Sequence, residues 1–249
     1  MNHASLFSGI GGFDLAAEWV GWTNVFNCEW EEFPRQVLKH HFPNAIQHGD
    51  IKELDATAYA GRVDILTGGF PCQPYSVSGL QRGNEDERHL WPEMLRIIRE
   101  CTPRYVVGEN VLGLVGWNGG LVFEEVCASL EAERYAVQPY VLPACAVNAP
   151  HRRDRIWFVA YATGGGTRQD NRQGEPRQPN QKSPFANWQD FPTVPAVCGG
   201  DDGLPKELDG LTFSKWRRES IKAYGNAIVP QVALQIFKAI QAYEDGQKL

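Results

Sequence analysis

Over the first 160 residues, short apolar runs alternate with stretches whose apolar residues recur every three or four positions. The runs "HASLFS" (3–8), "TNVFNCEW" (23–30), "AIQHGDI" (45–51), "VDILTGG" (63–69) and "RYVVGENV" (104–111) have the length and composition of strands. Helical periodicity marks "FDLAAEWVG", closed by Gly21, the segment around Pro34–His41, "LWPEMLRIIRE" and "VFEEVCASLEAE". Two further apolar runs, "YAVQPYVL" (135–142) and "RIWFVAYA" (155–162), follow without a helix between them and predict a hairpin-like pair at a sheet edge. Strands separated by helical patterns of about 10–15 residues imply βαβ units. The pattern therefore predicts an α/β domain over 1–162 with a doubly wound, mostly parallel seven-stranded sheet.

The pattern breaks at 163–187, "TGGGTRQDNRQGEPRQPNQKSPFAN", which has almost nothing to bury and predicts a polar loop. From Trp188 to Trp216, scattered apolar residues punctuated by Gly, Pro and Asp predict a small irregular module, so 163–216 forms a second region. Residues 217–249 are expected to return to the first domain through the helix "VPQVALQIFKAIQAYE", with Pro230 in its first turn.

Composition adds limits. The 249 residues are 43% hydrophobic and 22% charged, as in ordinary globular proteins. No run approaches the roughly 18 apolar residues of a membrane span. The N-terminus has neither the basic nor the apolar segment of a signal peptide, so a cytoplasmic location is expected, in the bacterial cytosol or nucleoid, with no membrane partner. Six cysteines without a CxxC pair argue against a metal site or a disulfide framework. The net charge of −6 is uneven: residues 1–60 carry three basic residues against eight acids, whereas 151–182 carries seven against three. Such a chain can offer a phosphate-binding face without a basic overall charge.

Candidate chemistry gathers at strand ends. The turn Gly9-Ile10-Gly11-Gly12 between the first strand and helix suits a nucleotide-type cofactor, although a tight turn alone would also use glycines. Glu29 falls about 20 residues later, at the end of the second strand, where a carboxylate can accept from ribose hydroxyls. Asp50 ends the third strand and could accept from an exocyclic amino group. The glycine spacing is not that of the dinucleotide fingerprint, so a nucleoside with a short charged tail fits better. Cys72 in "GGFPCQPYS" is a different signal, a cysteine between two prolines just past a strand. Proline stiffens its surroundings while glycine frees them, a combination suited to presenting a thiol rather than burying one.

In order, "SLFSGIGGFDLA", "NCEWEEF", "GDI", "GGFPCQPYSVSG", "GENV", "APHRRDRIWFVA" and "YGNAIVPQVA" resemble the blocks of the DNA (cytosine-5) methyltransferases. The resemblance implies the class I methyltransferase fold, S-adenosylmethionine as cofactor, duplex DNA as partner, no metal and a monomeric enzyme. It implies that Cys72 adds to C6 of a flipped-out cytosine and that Glu109 holds or protonates N3. Arg153 and Arg155 would stabilise the thiolate and grip cytosine O2 and a phosphate, and Asn110 would buttress the loop. Around the cofactor it implies Phe7, Gly9, Ile10, Gly11, Gly12, Glu29, Trp30, Asp50, Ile51, Pro71 and Asn226, with Trp30 stacked on adenine. The segment Tyr75–Arg88 would close over DNA.

Departures are present as well. His151 stands where the family usually has Gln, the family's Arg/Leu/Thr-rich helix before the Gly-Asn block is hard to find in "LDGLTFSKWRRES", and the recognition region is short. Two other functions stay open at this level: a tRNA cytosine-5 methyltransferase, whose characteristic Cys-Phe-Thr insertion is missing, and a non-catalytic DNA-binding or regulatory member. A zinc deaminase does not fit, because no second cysteine follows Cys72 at the required spacing.

Overall fold

The computed structural model describes residues 1–71, 90–164 and 213–246. Its centre is a seven-stranded sheet of β1 (Asn2–Leu6), β2 (Thr23–Cys28), β3 (Ile46–His48), β4 (Ile65–Gly68), β5 (Tyr105–Val111), β6 (Tyr135–Leu142) and β7 (Arg155–Ala162). The strand order is β3-β2-β1-β4-β5-β7-β6. Strands β1 to β5 pair in parallel, and β7 runs antiparallel to both β5 and β6. The fold class expected from the pattern is therefore the one observed.

Burial follows position in the sheet. Central β5 is buried through its first six residues, whereas edge strand β6 is mostly half-buried or exposed and carries Pro139 where a missing donor is tolerated. One face packs on α3 (Trp91–Cys101) and α4 (Leu121–Ala132), around Trp91, Met94, Ile98, Leu130 and Phe158. The opposite face packs on α1 (Gly12–Trp19) and α6 (Pro230–Gly246), around Phe13, Ile65, Val107, Trp157 and Phe237. Helix α2 (Glu32–His41) packs through Phe33 and Val37 on Ile10 and through Leu38 on Leu15, Phe42 and Ala45.

Two departures from the expected elements have local causes. β1 stops at Leu6 rather than residue 8 because Phe7 takes φ +51°, which no strand accommodates. Residues 213–226 form a helix, α5 (Phe213–Asn226), where none was evident. Of the side chains described in it, Ser220 and Ala223 are buried, and Trp216 and Ala223 pack on Phe33 and Val37 of α2. So narrow an apolar stripe is hard to see amid "KWRRES". The helix also straddles the expected boundary at residue 216.

The chain order sets the place for a site. From β1 the chain winds outward to β2 and β3, then crosses back to β4 on the other side of β1. This reversal opens a crevice beyond the carboxyl ends of β1 and β4, where open α/β sheets bind ligands.

Candidate active site

Register lines up the strand ends. Leu6 pairs with Cys28 and with Gly68, and Gly68 pairs with Gly108. The next residue on each strand, Phe7, Glu29, Gly69 and Glu109, therefore forms one row along the carboxyl edge. Because β7 is antiparallel, its amino end reaches the same edge: Arg155 pairs with Val111, just past Glu109. Phe7, Glu29, Gly69, Glu109 and Arg155, with Arg153 and Asn226, line one cleft of about 1050 Å³.

The turn after β1 rests on a buried polar chain. Ser5 Oγ donates to both carboxylate oxygens of Asp14, at 3.0 and 2.9 Å, and lies 2.7 Å from Ser8 Oγ. Ser8 in turn accepts from the Cys28 amide at 3.2 Å, and its carbonyl accepts from the Gly11 amide at 2.9 Å. Burial pushes the Asp14 carboxyl up to about 7, against the lowering by the Ser5 hydroxyl.

Of the expected cofactor residues, Phe7, Gly9, Glu29, Trp30, Asp50, Ile51, Pro71 and Asn226 line the cleft. Ile10, Gly11 and Gly12 do not. Ile10 packs with Phe33, Val37, Trp216 and Ala223. A Cβ on Gly11 would lie 2.3 Å from the Phe42 ring, and one on Gly12 would lie 2.6 Å from Ile228. These two glycines let α2 and the α5–α6 joint come close, whereas space beside Gly9 is open. Sequence spacing shows that a turn needs small residues but not which neighbour requires each one.

Glu29 accepts from the Gly9 amide at 2.7 Å and from the Glu31 amide at 2.8 Å, one bond to each oxygen. Each oxygen keeps a second lone pair for a ligand hydroxyl. Burial raises its pKa, and the backbone amides of Glu31 and Gly9 oppose the rise. Trp30 follows with 71% of its surface exposed, a bare aromatic platform beside that carboxylate. Asp50 accepts from the Lys52 amide at 2.9 Å through one oxygen. An aromatic face, two carboxylates and an open glycine backbone suit an adenosine-type group, so the residues fit S-adenosylmethionine.

At the other end of the cleft, Glu109 is 8% exposed and meets Arg155 Nε at 2.9 Å. Burial raises the Glu109 pKa, while the charges of Arg155 and Arg153 hold it down. Asn110 Nδ2 donates to the Phe70 carbonyl at 2.8 Å and ties β5 to the segment leading into Pro71. Arg153 Nη2 donates to the carbonyls of Gly225 at 3.0 Å and Ala227 at 2.6 Å.

Cys72 lies outside the described residues, as do the Tyr75–Arg88 segment and most of the 163–216 region. Among the described cysteines, Cys28 is the one lining the cleft. Burial and the charges of Glu29 and Asp50 push its thiol up to about 12, so at neutral pH it is protonated and no nucleophile. His151 is exposed and does not line the cleft. Sequence reasoning missed Lys222, whose ammonium lies 2.7 Å from Glu31 and pins α5 beside Trp30. It also missed Trp117, which lines the cleft from an irregular segment after β5. No sequence spacing links either residue to the site. No group of residues that could hold a metal ion occurs among the described residues, nor any helix long and apolar enough to cross a membrane.

Comparison with known proteins agrees with this geometry. The chain is similar to the Type II methyltransferase M.HhaI of Haemophilus parahaemolyticus, 35% identical over 162 residues, covering 65% of this chain and 49% of that protein. It is also similar to M.HpaII of Haemophilus parainfluenzae, 30% identical over 230 residues, covering 90% of this chain and 62% of that one. The chain spans about half the length of several curated relatives it matches. In fold it resembles Schizosaccharomyces pombe Dnmt2 methyltransferase, with TM-score 0.52 and 19% identity over 67% of this chain and 50% of that one. The Entamoeba histolytica methyltransferase EhMeth aligns with TM-score 0.54 and 21% identity over 66% and 53% of the two chains. Residues 1–193 match the family of C-5 cytosine-specific DNA methylases, and the chain belongs to that family.

Proposed function

We propose that this chain transfers a methyl group from S-adenosylmethionine to C5 of a cytosine flipped out of duplex DNA, through a covalent bond from Cys72 to C6. The observation that carries this reading is the shared cleft: Glu29, Trp30 and Asp50 at one end, Glu109 and Arg155 at the other, and Pro71, the neighbour of Cys72, on its wall. Around the first end Glu29, Asp50 and Glu219 stand against Lys52, with Glu31 paired to Lys222, a balance that disfavours a polyphosphate and favours a ligand carrying positive charge.

When bound, S-adenosylmethionine supplies an electrophilic methyl group. The chain's own residues do the rest. Cytosine C5 is too weak a nucleophile, and addition of the Cys72 thiolate to C6 moves electron density onto C5. Glu109, its pKa raised by burial, holds a proton at N3 so that negative charge does not accumulate on the ring. Arg155 fixes the Glu109 carboxylate and presents a planar cation toward cytosine O2. After transfer a base takes the C5 proton, the C6–S bond breaks and the thiolate leaves. The target cytosine enters the cleft only after leaving the helical stack, which Pro71 and the segment after it would accommodate. Residues 163–216 would read the DNA, with Arg168, Arg172, Arg177 and Lys182 on phosphates and 188–202 at base edges.

Duplex DNA carrying 5-fluorocytosine tests the reading, because fluorine at C5 blocks release. With cofactor present, a complex should survive a denaturing gel. Cys72→Ser should abolish it and Cys28→Ser should retain it. No covalent complex with the wild-type chain, or one that persists in Cys72→Ser, would overturn the assignment.

A further inference from the structure

Arg153 and Arg155 lie two residues apart, yet they face different partners. Arg155 pairs with Glu109, the proposed proton holder. Arg153 takes a left-handed backbone conformation, φ +41°, that non-glycine residues rarely adopt. From there one nitrogen of its guanidinium, Nη2, donates to the carbonyls of both Gly225 and Ala227. These two carbonyls flank Asn226, the last residue of α5. The final carbonyls of a helix have no partner within it and carry partial negative charge, so a cation there meets both needs. Asn226 itself is exposed and lines the same cleft, beside Ala223 and Gly225.

We propose that Arg153 is a positioning residue for Asn226: its guanidinium brackets the two peptide units around that asparagine and holds its side chain against the bound cofactor. This rests on the reading that the cleft binds S-adenosylmethionine. It gives Arg153 a duty toward the cofactor pocket beside any contact with the target nucleotide, because the two carbonyls take both hydrogens of Nη2 and leave Nη1 and Nε for other partners. The two arginines then hold different partners in one cleft.

The test is cofactor affinity measured by titration calorimetry without DNA, where a residue serving only the target nucleotide has no effect. Arg153→Ala should weaken S-adenosylmethionine binding at least about tenfold, in the range of a lost charged hydrogen bond. Arg153→Lys, which keeps the charge but not the planar fork, should fall between. Arg152→Ala, at an exposed neighbour that pairs with Asp154 outside the cleft, should leave cofactor affinity unchanged. Because Arg153 acts through Asn226, Arg153→Ala combined with Asn226→Ala should lose no more than the worse single variant. If Arg153→Ala fails to fold, Arg153→Lys carries the same comparison with Asn226→Ala. Wild-type affinity in the Arg153 variants, or losses that add in the double variant, would overturn the proposal. Failure of the wild-type chain to bind the cofactor would instead overturn the functional reading beneath it.

Discussion

Arg155 Nε lies 2.9 Å from Glu109 Oε1 at the point where β7 starts back along β5. The antiparallel strand brings a cation from one end of its sequence to a carboxylate at the far end of another. Burial raises the Glu109 pKa and Arg155 lowers it, so the pair sets how readily this acid keeps a proton. Glu109→Gln should cut methyl transfer by roughly 10²–10⁴-fold, the usual span for a lost acid–base group, with cofactor affinity unchanged. Arg155→Met should move the Glu109 titration to higher pH, read by carbon-13 NMR of the carboxyl.

Trp30 should matter to the ligand and not to the fold. With 71% of its surface exposed it contributes little to the core. Trp30→Ala should weaken cofactor binding by about 1 kcal/mol, the scale of an aromatic stack, and leave the thermal midpoint unchanged. Calorimetry and thermal melts on the same samples check both halves.

The glycines of the first turn should differ in what an added methyl costs. Gly9 has φ +54° and open space, so Gly9→Ala meets only the backbone penalty of about 1 kcal/mol. Gly11 has φ +85° and would drive a Cβ to 2.3 Å from the Phe42 ring, so Gly11→Ala should cost about 3 kcal/mol or more. Urea unfolding measures the difference.

Two buried groups oppose each other in acid. His3 is fully buried between Asn24 and Thr67, and burial lowers its pKa to about 4. The folded chain binds fewer protons there than the unfolded chain, so this group makes stability rise with pH between about 4 and 6.5. Asp14, raised to about 7, binds more protons folded than unfolded, so its contribution falls as pH rises from 3.8 to about 7. The two slopes cancel across pH 4–6.5. Asp14→Asn should uncover the His3 slope, a rise on the order of 1 kcal/mol per pH unit, in urea unfolding across that window.

How much of this was legible follows from the kind of signal involved. The strands and the first helices carry periodicity, and β6 and β7 begin and end where the apolar runs do. Glu29 was visible because strand ends put their residues at one edge of a parallel sheet, and Glu109 was visible through the family resemblance. Helix α5 was not, since its packing rests on so few apolar side chains, among them Trp216 and Ala223, amid charges. Nor could the sequence separate the duties of Gly9 and Gly11, or send Arg153 toward Gly225 rather than toward Glu109. Those distinctions depend on contacts between segments far apart in the chain.

The packing of α6 has a consequence for how the protein is made. Trp22 meets Phe237 with ring centres 4.7 Å apart, and its indole nitrogen bonds Gln241, 219 positions along the chain. Tyr105 and Arg104 reach Glu244 in the same way. Ile65, Val107 and Trp157 therefore emerge from the ribosome well before the helix that completes their cover. During synthesis that sheet face is a sticky, half-dressed surface, and contacts of such long range close late and slowly. The nascent chain should depend on chaperone shelter through that interval.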